Sequence, residues 1–186
     1  MKGAIDTGRQ KPNTGRTNQK LFFAKLQLER LQQVLADKSA FSWEAEALSC
    51  REAAILHLHG AYVAFLQELV RFYKLNGVLL SSEDVRAAMA ARGQVAPEVA
   101  IFQQLEQQPA SWLAALLLAH HQCLIAPDPK PADAPEDEAE SLGRVISLVS
   151  VQADAPLSDA DLAAIASWQR ELTTLIREFR AERVEF

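Results

Sequence analysis

The segment from residue 42 to residue 75 constrains the fold most, because it contains no proline and only one glycine, Gly60. Such an uninterrupted segment predicts one long helix. Apolar residues occupy most of its circumference, which is typical of a helix in a protein core. Arg51, Glu52 and His59 nevertheless lie on or beside the apolar side. Buried polar groups need partners, so these residues indicate where a polar site would lie.

The preceding segment has the pattern of an amphipathic helix. Its apolar residues recur at steps of three and four, and they are Leu21, Ala24, Leu28, Leu31 and Leu35. This spacing predicts a helix that begins after an N-cap at Thr17 and ends near Asp37. The short turn from Lys38 to Phe41 then predicts that this helix and the next form an antiparallel hairpin.

The rest of the chain also predicts helices. Ser158 and Asp161 have the spacing of a capping box, which opens a helix expected to end near residue 183. Ser81 and Asp84 resemble a second capping box, at the start of a short helix. Residues 97–108 and 110–125 form one kinked helix or two. The predicted fold class is therefore all-α, an antiparallel helical bundle of four long helices plus one or two short helices.

Two segments differ in composition from the helices. Residues 1–16 are basic, rich in polar residues and without periodicity, and we expect disorder. Residues 126–141 are acidic and proline-rich, and they predict a mobile loop inside a single helical domain of residues 17–186. The apolar stretch 145–151 is either extended or helical.

Composition and motifs exclude several functions. The net charge of −5 argues against a general nucleic-acid binder, since phosphate contacts need a basic surface. The two cysteines form no disulfide framework. No Glu-x-x-His pair or glycine-rich phosphate loop occurs, so we predict no metal and no cofactor. The longest apolar run, Trp112 to Ala119, is too short for a transmembrane segment, and we expect a cytoplasmic protein.

The predicted hairpin brings several polar residues towards one another. If Asp37 lies level with Trp43, the start of the first helix falls beside the middle of the second. The resulting candidate polar cluster, a binding site, comprises Asn18, Lys20, Arg51, Glu52, His59 and Tyr62. His57 is predicted to face solvent. It lies on a narrow strip with Ala53, Gly60, Ala64, Glu68 and Arg71, which either faces solvent or lets another helix or subunit approach closely.

Two interpretations of this cluster remain open. In the structural one, His59 is a hydrogen-bonded core histidine and Glu52 is paired with Lys20, Lys25 or Arg51. In the functional one, the cluster lines a small pocket between helices. Arg51 and His57 also have an Arg-x5-His spacing similar to the motif of helical ribonuclease domains from toxin systems. The two side chains project in directions about 120° apart, which weakens that similarity.

Three stretches resemble an uncharacterised family of small all-helical proteobacterial proteins. They are residues 16–21 (RTNQKL), 51–53 (REA) and 57–61 (HLHGA), and the resemblance covers roughly residues 16–75. It implies a compact cytoplasmic helical protein and supplies no catalytic residues. We therefore expect a non-enzymatic protein-interaction or accessory protein, with a protein partner or self-association. The alternatives are an RNA-cleaving domain using Arg51 and His57, and a small-ligand binder with a pocket near His59.

Overall fold

The structure, a computed structural model, describes residues 14–125 and 157–183, and within them it contains six α-helices and no strand. The helices are α1 (Gly15–Ala36), α2 (Trp43–Phe72), α3 (Ser82–Ala90), α4 (Pro97–Gln107), α5 (Trp112–Gln122) and α6 (Asp159–Glu182). The all-α prediction is confirmed. Of the segment 1–16 that we expected to be disordered, residues 1–13 lie outside the described residues, whereas Gly15 and Arg16 belong to α1. The predictions for the acidic loop and for residues 145–151 also lie outside the described residues.

Three of the six helices are long and three are short. α1, α2 and α6 have 22, 30 and 24 residues, whereas α3, α4 and α5 have 9, 11 and 11. Residues 97–125, where the fourth long helix was expected, therefore form two short helices, α4 and α5. The chain leaves α4 at Gln108, which is extended, and Ser111 caps α5 by accepting a hydrogen bond from the backbone N–H of Ala114.

α1 and α2 form the predicted antiparallel hairpin in nearly the predicted register. Lys20 lies directly against Gly60, and Arg30 near the other end of α1 forms an ion pair with Glu46. The predicted N-cap at Thr17 is wrong, because α1 begins at Gly15 and Thr14, three residues before Thr17, occupies the cap position. Thr17 is instead fully buried. It is therefore available for a contact inside the bundle.

The helix ends follow local sequence signals closely. Ser158 and Asp161 form the predicted capping box, with hydrogen bonds in both directions. The side chain of Ser81 accepts a hydrogen bond from Asp84 N–H, which is one of the two hydrogen bonds of the second predicted capping box. α2 ends at Phe72, slightly earlier than expected, and Lys74 adopts a left-handed conformation at φ 53°. Gly77, at φ 90°, then turns the chain back along α2.

α2 is the central helix of the bundle, packed against α1, α3, α5 and α6. The rings of Phe65, Phe102 and Phe179 meet at centroid distances of 5.6–6.0 Å and join α2, α4 and α6. Within the described ranges α2 alone is long and apolar enough to cross a membrane, with mean hydropathy 1.3 in its most apolar window. Of that window 56% is buried in the bundle, a property that core helices of soluble proteins share.

Candidate functional site

The six residues of the predicted cluster lie in several different environments. Asn18 is exposed at the start of α1, and its Oδ1 accepts a hydrogen bond from Arg180 of α6 at 2.8 Å. Lys20 is half-buried and lies over Gly60, with its Nζ 3.4 Å from Nδ1 of His57. The first turns of α1 thus reach both α6 and the middle of α2.

His59 and Tyr62 are neighbours, as predicted, but their partners come from helices that the hairpin argument did not include. The His59 ring stacks on His120 of α5, with centroids 3.6 Å apart and planes at 16°. The Tyr62 ring lies 6.2 Å from that of His59 and meets Phe102 edge-on at 5.2 Å. Burial and the nearby His120 lower the pKa of His59 to about 4. His59 is therefore a neutral ring at neutral pH.

The Tyr62 hydroxyl is fully engaged in the interface between α2, α3 and α4. It donates a hydrogen bond to Oε1 of Glu106, and the hydroxyl of Ser82 donates to the other carboxylate oxygen at 2.6 Å. Burial and the Glu106 carboxylate raise the pKa of Tyr62. This arrangement satisfies buried polar groups and ties three helices together.

Arg51 and Glu52 lie on the opposite side of α2 from His57. Both are close enough to Cys123 of α5 to shift its pKa, although burial of the thiol is the main cause of the increase. His57 instead faces α1, where its ring lies 5.3 Å from that of Phe23. The prediction that His57 faces solvent is wrong, because α1 packs against the His57 side chain and leaves it half-buried. Arg51 and His57 do not converge on one cleft.

A buried charged network, which the sequence did not reveal, joins α1, α2 and α6. Arg180 donates two hydrogen bonds to Glu68, from Nε at 3.1 Å and from Nη2 at 2.7 Å. The Thr17 hydroxyl donates a third to the same carboxylate, whose side chain is only 5% exposed. The helical wheel had placed Glu68 on the outer strip of α2. Here α1 and α6 cover that part of the strip.

A second ion pair lies beside the first. Nε of Arg183 is 3.5 Å from Oε1 of Glu98, and the Tyr73 hydroxyl donates to Oε2 of the same carboxylate at 2.8 Å. The Arg183 guanidinium also stacks over Phe65 and Phe72, at 5.0 and 5.3 Å from their centroids. Its burial lowers the pKa of Arg183. Both pairs fasten the end of α6 to the bundle.

The part of the outer strip at Ala53, Gly60 and Ala64 is different, because none of the six described helices covers it completely. Together with the adjoining Leu56 and Val63 we call it the α2 outer face. Leu56 is exposed at 40%, and the other four are half-buried. Lys20 and Phe23 of α1 border one side of this face, whereas His59, stacked on α5, lies towards the other.

The α2 outer face carries no charge along its length. Between Glu52 and Arg71 the only acidic or basic residue, histidines aside, is Glu68. Glu68 points into the bundle and is paired with Arg180. The pKa of His57 is lowered by its burial and by Lys20, and that of His59 is lowered as well. A half-exposed helix surface without acidic or basic residues of its own therefore extends from Ala53 to Ala64, over roughly 17 Å.

Comparison with known proteins identifies the family. A family model described as "Family of unknown function (DUF6586)" matches residues 12–186, almost the whole chain. The chain belongs to this family. Membership in DUF6586 confirms the resemblance to an uncharacterised helical family and extends it well beyond residues 16–75. No curated protein and no solved structure matches the chain.

Proposed function

We propose that this DUF6586 chain is a non-enzymatic protein-interaction protein that binds a helix of another polypeptide across the α2 outer face. The observation that carries the proposal is the absence of charge on a helix surface that solvent reaches. Solvent-facing sides of helices normally carry charged residues. The core of a protein–protein interface, in contrast, is depleted of them.

The shape of the face supports the same function. The alanines at 53 and 64 have short side chains, so a second helix can approach α2 at these positions, whereas the aliphatic part of Lys20 already lies over Gly60. Leu56 protrudes beside them and offers an apolar side chain to a partner. The flanking α1 helix is held in place by its hydrogen bonds to Glu68 and Arg180. The face is therefore bordered by fixed structure.

The geometry gives less support to the two alternatives. An RNA-cleaving site requires arginine and histidine in one cleft, whereas Arg51 and His57 face different helices. A small-ligand pocket at His59 requires space beside its ring, but His120 is stacked there at 3.6 Å. The Tyr62 hydroxyl is already bonded to Glu106. We expect the interaction to take place in the cytoplasm of a bacterial cell.

Photo-crosslinking in cells tests the proposal. A photoreactive phenylalanine derivative replaces Leu56 on the face, and a matched control replaces Glu178, which is exposed on α6. We expect a covalent protein adduct from position 56 and none from position 178. If irradiation yields no adduct from position 56, or equal adducts from both, the proposed function is wrong.

A further inference from the structure

We infer that the helix bound on the α2 outer face is acidic along one edge, and that Arg16 and Lys20 of α1 bind two of its carboxylates. The inference rests on the proposed function and specifies the chemistry of the partner. Two observations carry it. Both cations lie on the border of the face, and within the described ranges neither forms an ion pair with an acidic residue.

The pairing of α1 with α2 places both cations beside the small residues of the face. The two helices are antiparallel, and the Lys20 side chain lies over Gly60. Arg16 precedes Lys20 by one helical turn and is therefore level with Ala64, one turn beyond Gly60. The two cations thus follow the edge of the face that α1 borders.

The two other basic residues of α1 already have acidic partners. Nζ of Lys25 lies 3.6 Å from a carboxylate oxygen of Glu29, and Arg30 forms an ion pair with Glu46. Among the described residues, positive charge on α1 without an acidic partner is therefore confined to the first two turns of the helix.

Arg16 and Lys20 instead contact neutral groups. Nη1 of Arg16 donates to Oε1 of Gln19 at 2.7 Å, and Nζ of Lys20 lies 3.4 Å from Nδ1 of His57. Burial of the His57 ring lowers its pKa, and the charges of Lys20 and Arg16 lower it further. Both positive charges therefore reach the same small region beside the α2 outer face.

The position of Arg16 opposes the local stability of α1. The N-terminal end of a helix carries partial positive charge and is stabilised by acidic residues. The first turn of α1 contains no acidic residue, and Arg16 adds a positive charge there. A residue that breaks a local rule of helix stability indicates a functional position. The carboxylates of a bound helix supply the negative charge that α1 lacks.

Two carboxylates one helical turn apart match this pair of cations. The Cα atoms of Arg16 and Lys20 are separated by about 6 Å along the helix axis. A partner helix with glutamate or aspartate at positions i and i+4 presents its carboxylates at the same spacing. Its apolar side chains then contact Leu56 and the alanines of the face. The resulting contact has an uncharged centre and a charged rim, as protein–protein interfaces do.

Two defined peptides test the inference. Both are amphipathic helices of about 18 residues with the same stripe of alanine and leucine. They differ only at two edge positions, one turn apart, which hold glutamate in one peptide and lysine in the other. Fluorescence anisotropy measures the affinity of each labelled peptide for the full chain. We expect the wild type to bind the glutamate peptide about tenfold more tightly than the lysine peptide.

Charge changes on α1 locate the contact. Arg16→Glu/Lys20→Glu should bind the lysine peptide more tightly than the glutamate peptide, which also shows that this variant is folded. Arg16→Gln/Lys20→Gln introduces no negative charge beside His57 and should bind both peptides equally. Lys25→Glu is the control, because it reverses an exposed charge on the opposite side of α1 and should keep the wild-type preference.

The inference is overturned if the wild type binds neither peptide or binds both equally. It is also overturned if the two double variants keep the wild-type preference for the glutamate peptide. None of these results affects the adduct from position 56, which decides the proposed function by itself.

Discussion

Arg180 on α6 holds the buried carboxylate of Glu68 on α2 with two hydrogen bonds, of 3.1 and 2.7 Å. These residues are 112 positions apart in sequence. Their contact, together with that between Thr17 and Glu68, fixes the end of α6 against α1 and α2. It also explains why α2 can contain an acidic residue between Glu52 and Arg71 without presenting its charge to solvent.

Arg180→Ala should destabilise the protein by about 3 kcal/mol, because it leaves a buried carboxylate without its cation. Urea unfolding followed by circular dichroism measures the change. Arg177→Ala, on an exposed part of the same helix, is the control and should cost less than about 0.5 kcal/mol. The double variant Glu68→Leu/Arg180→Met should recover most of the loss. Equal effects of Arg180→Ala and Arg177→Ala would contradict a stabilising role for the pair.

The stacked His59 and His120 rings should make stability depend on pH. The pKa of His59 is lowered to about 4, against an ordinary value near 6.5, so the unfolded chain binds more protons between these values. The contribution of the neutral His59 ring to the free energy of unfolding is therefore fully present above pH 6.5 and is lost as the pH falls towards 4. Allowing for partial exposure of the ring, we expect a loss of about 1–2 kcal/mol.

His59→Gln isolates this contribution from the titration of carboxylates. The difference in free energy of unfolding between pH 7 and pH 4.5 should be smaller in this variant than in the wild type. His121→Gln, on an exposed ring of the same helix as His120, should behave as the wild type does. If the free energy of unfolding changes with pH by the same amount in the wild type and in His59→Gln, the stacked pair does not titrate as described.

Both tyrosines should resist ionisation in the folded protein. The chain contains only Tyr62 and Tyr73, and burial together with a hydrogen bond to a glutamate raises the pKa of each. Their contribution to stability is present below pH 10 and declines as the pH rises above it, since only the unfolded chain ionises there. Ultraviolet absorbance at pH 10.5 should show little phenolate in the native protein and substantial phenolate in urea. An equal signal in both conditions would contradict these hydrogen bonds.

The helices, turns and caps that depend on neighbouring residues could be predicted from the sequence. Apolar spacing located α1, α2 and α6, and the short turn before Trp43 gave the hairpin in which Lys20 meets Gly60. The capping box at Ser158 was equally readable, because its partners are three residues apart. Each of these features depends on contacts between close neighbours or across one short connection.

The polar contacts required tertiary information. α2 is apolar around most of its circumference, so its periodicity does not say which side α1 and α6 cover. For this reason His57 and Glu68 were expected on the outside, whereas both lie against other helices. His120 is 61 positions from His59 along the chain, and no spacing rule connects them. Only the packing of α5 on α2 brings these rings together.

The most direct test of the central claim compares crosslinking from position 56 in two backgrounds. Gly60→Glu places a charge on the α2 outer face, and the three heavy atoms nearest to its Cβ all belong to the flexible side chain of Lys20, the closest at 3.4 Å. Leu118→Glu places the same charge on an exposed leucine of α5 that is not one of the residues of that face. We predict that Gly60→Glu abolishes the adduct and that Leu118→Glu preserves it, with both proteins folded by circular dichroism. An adduct that survives Gly60→Glu, or that both substitutions reduce equally, would contradict the assignment of the α2 outer face as a binding surface.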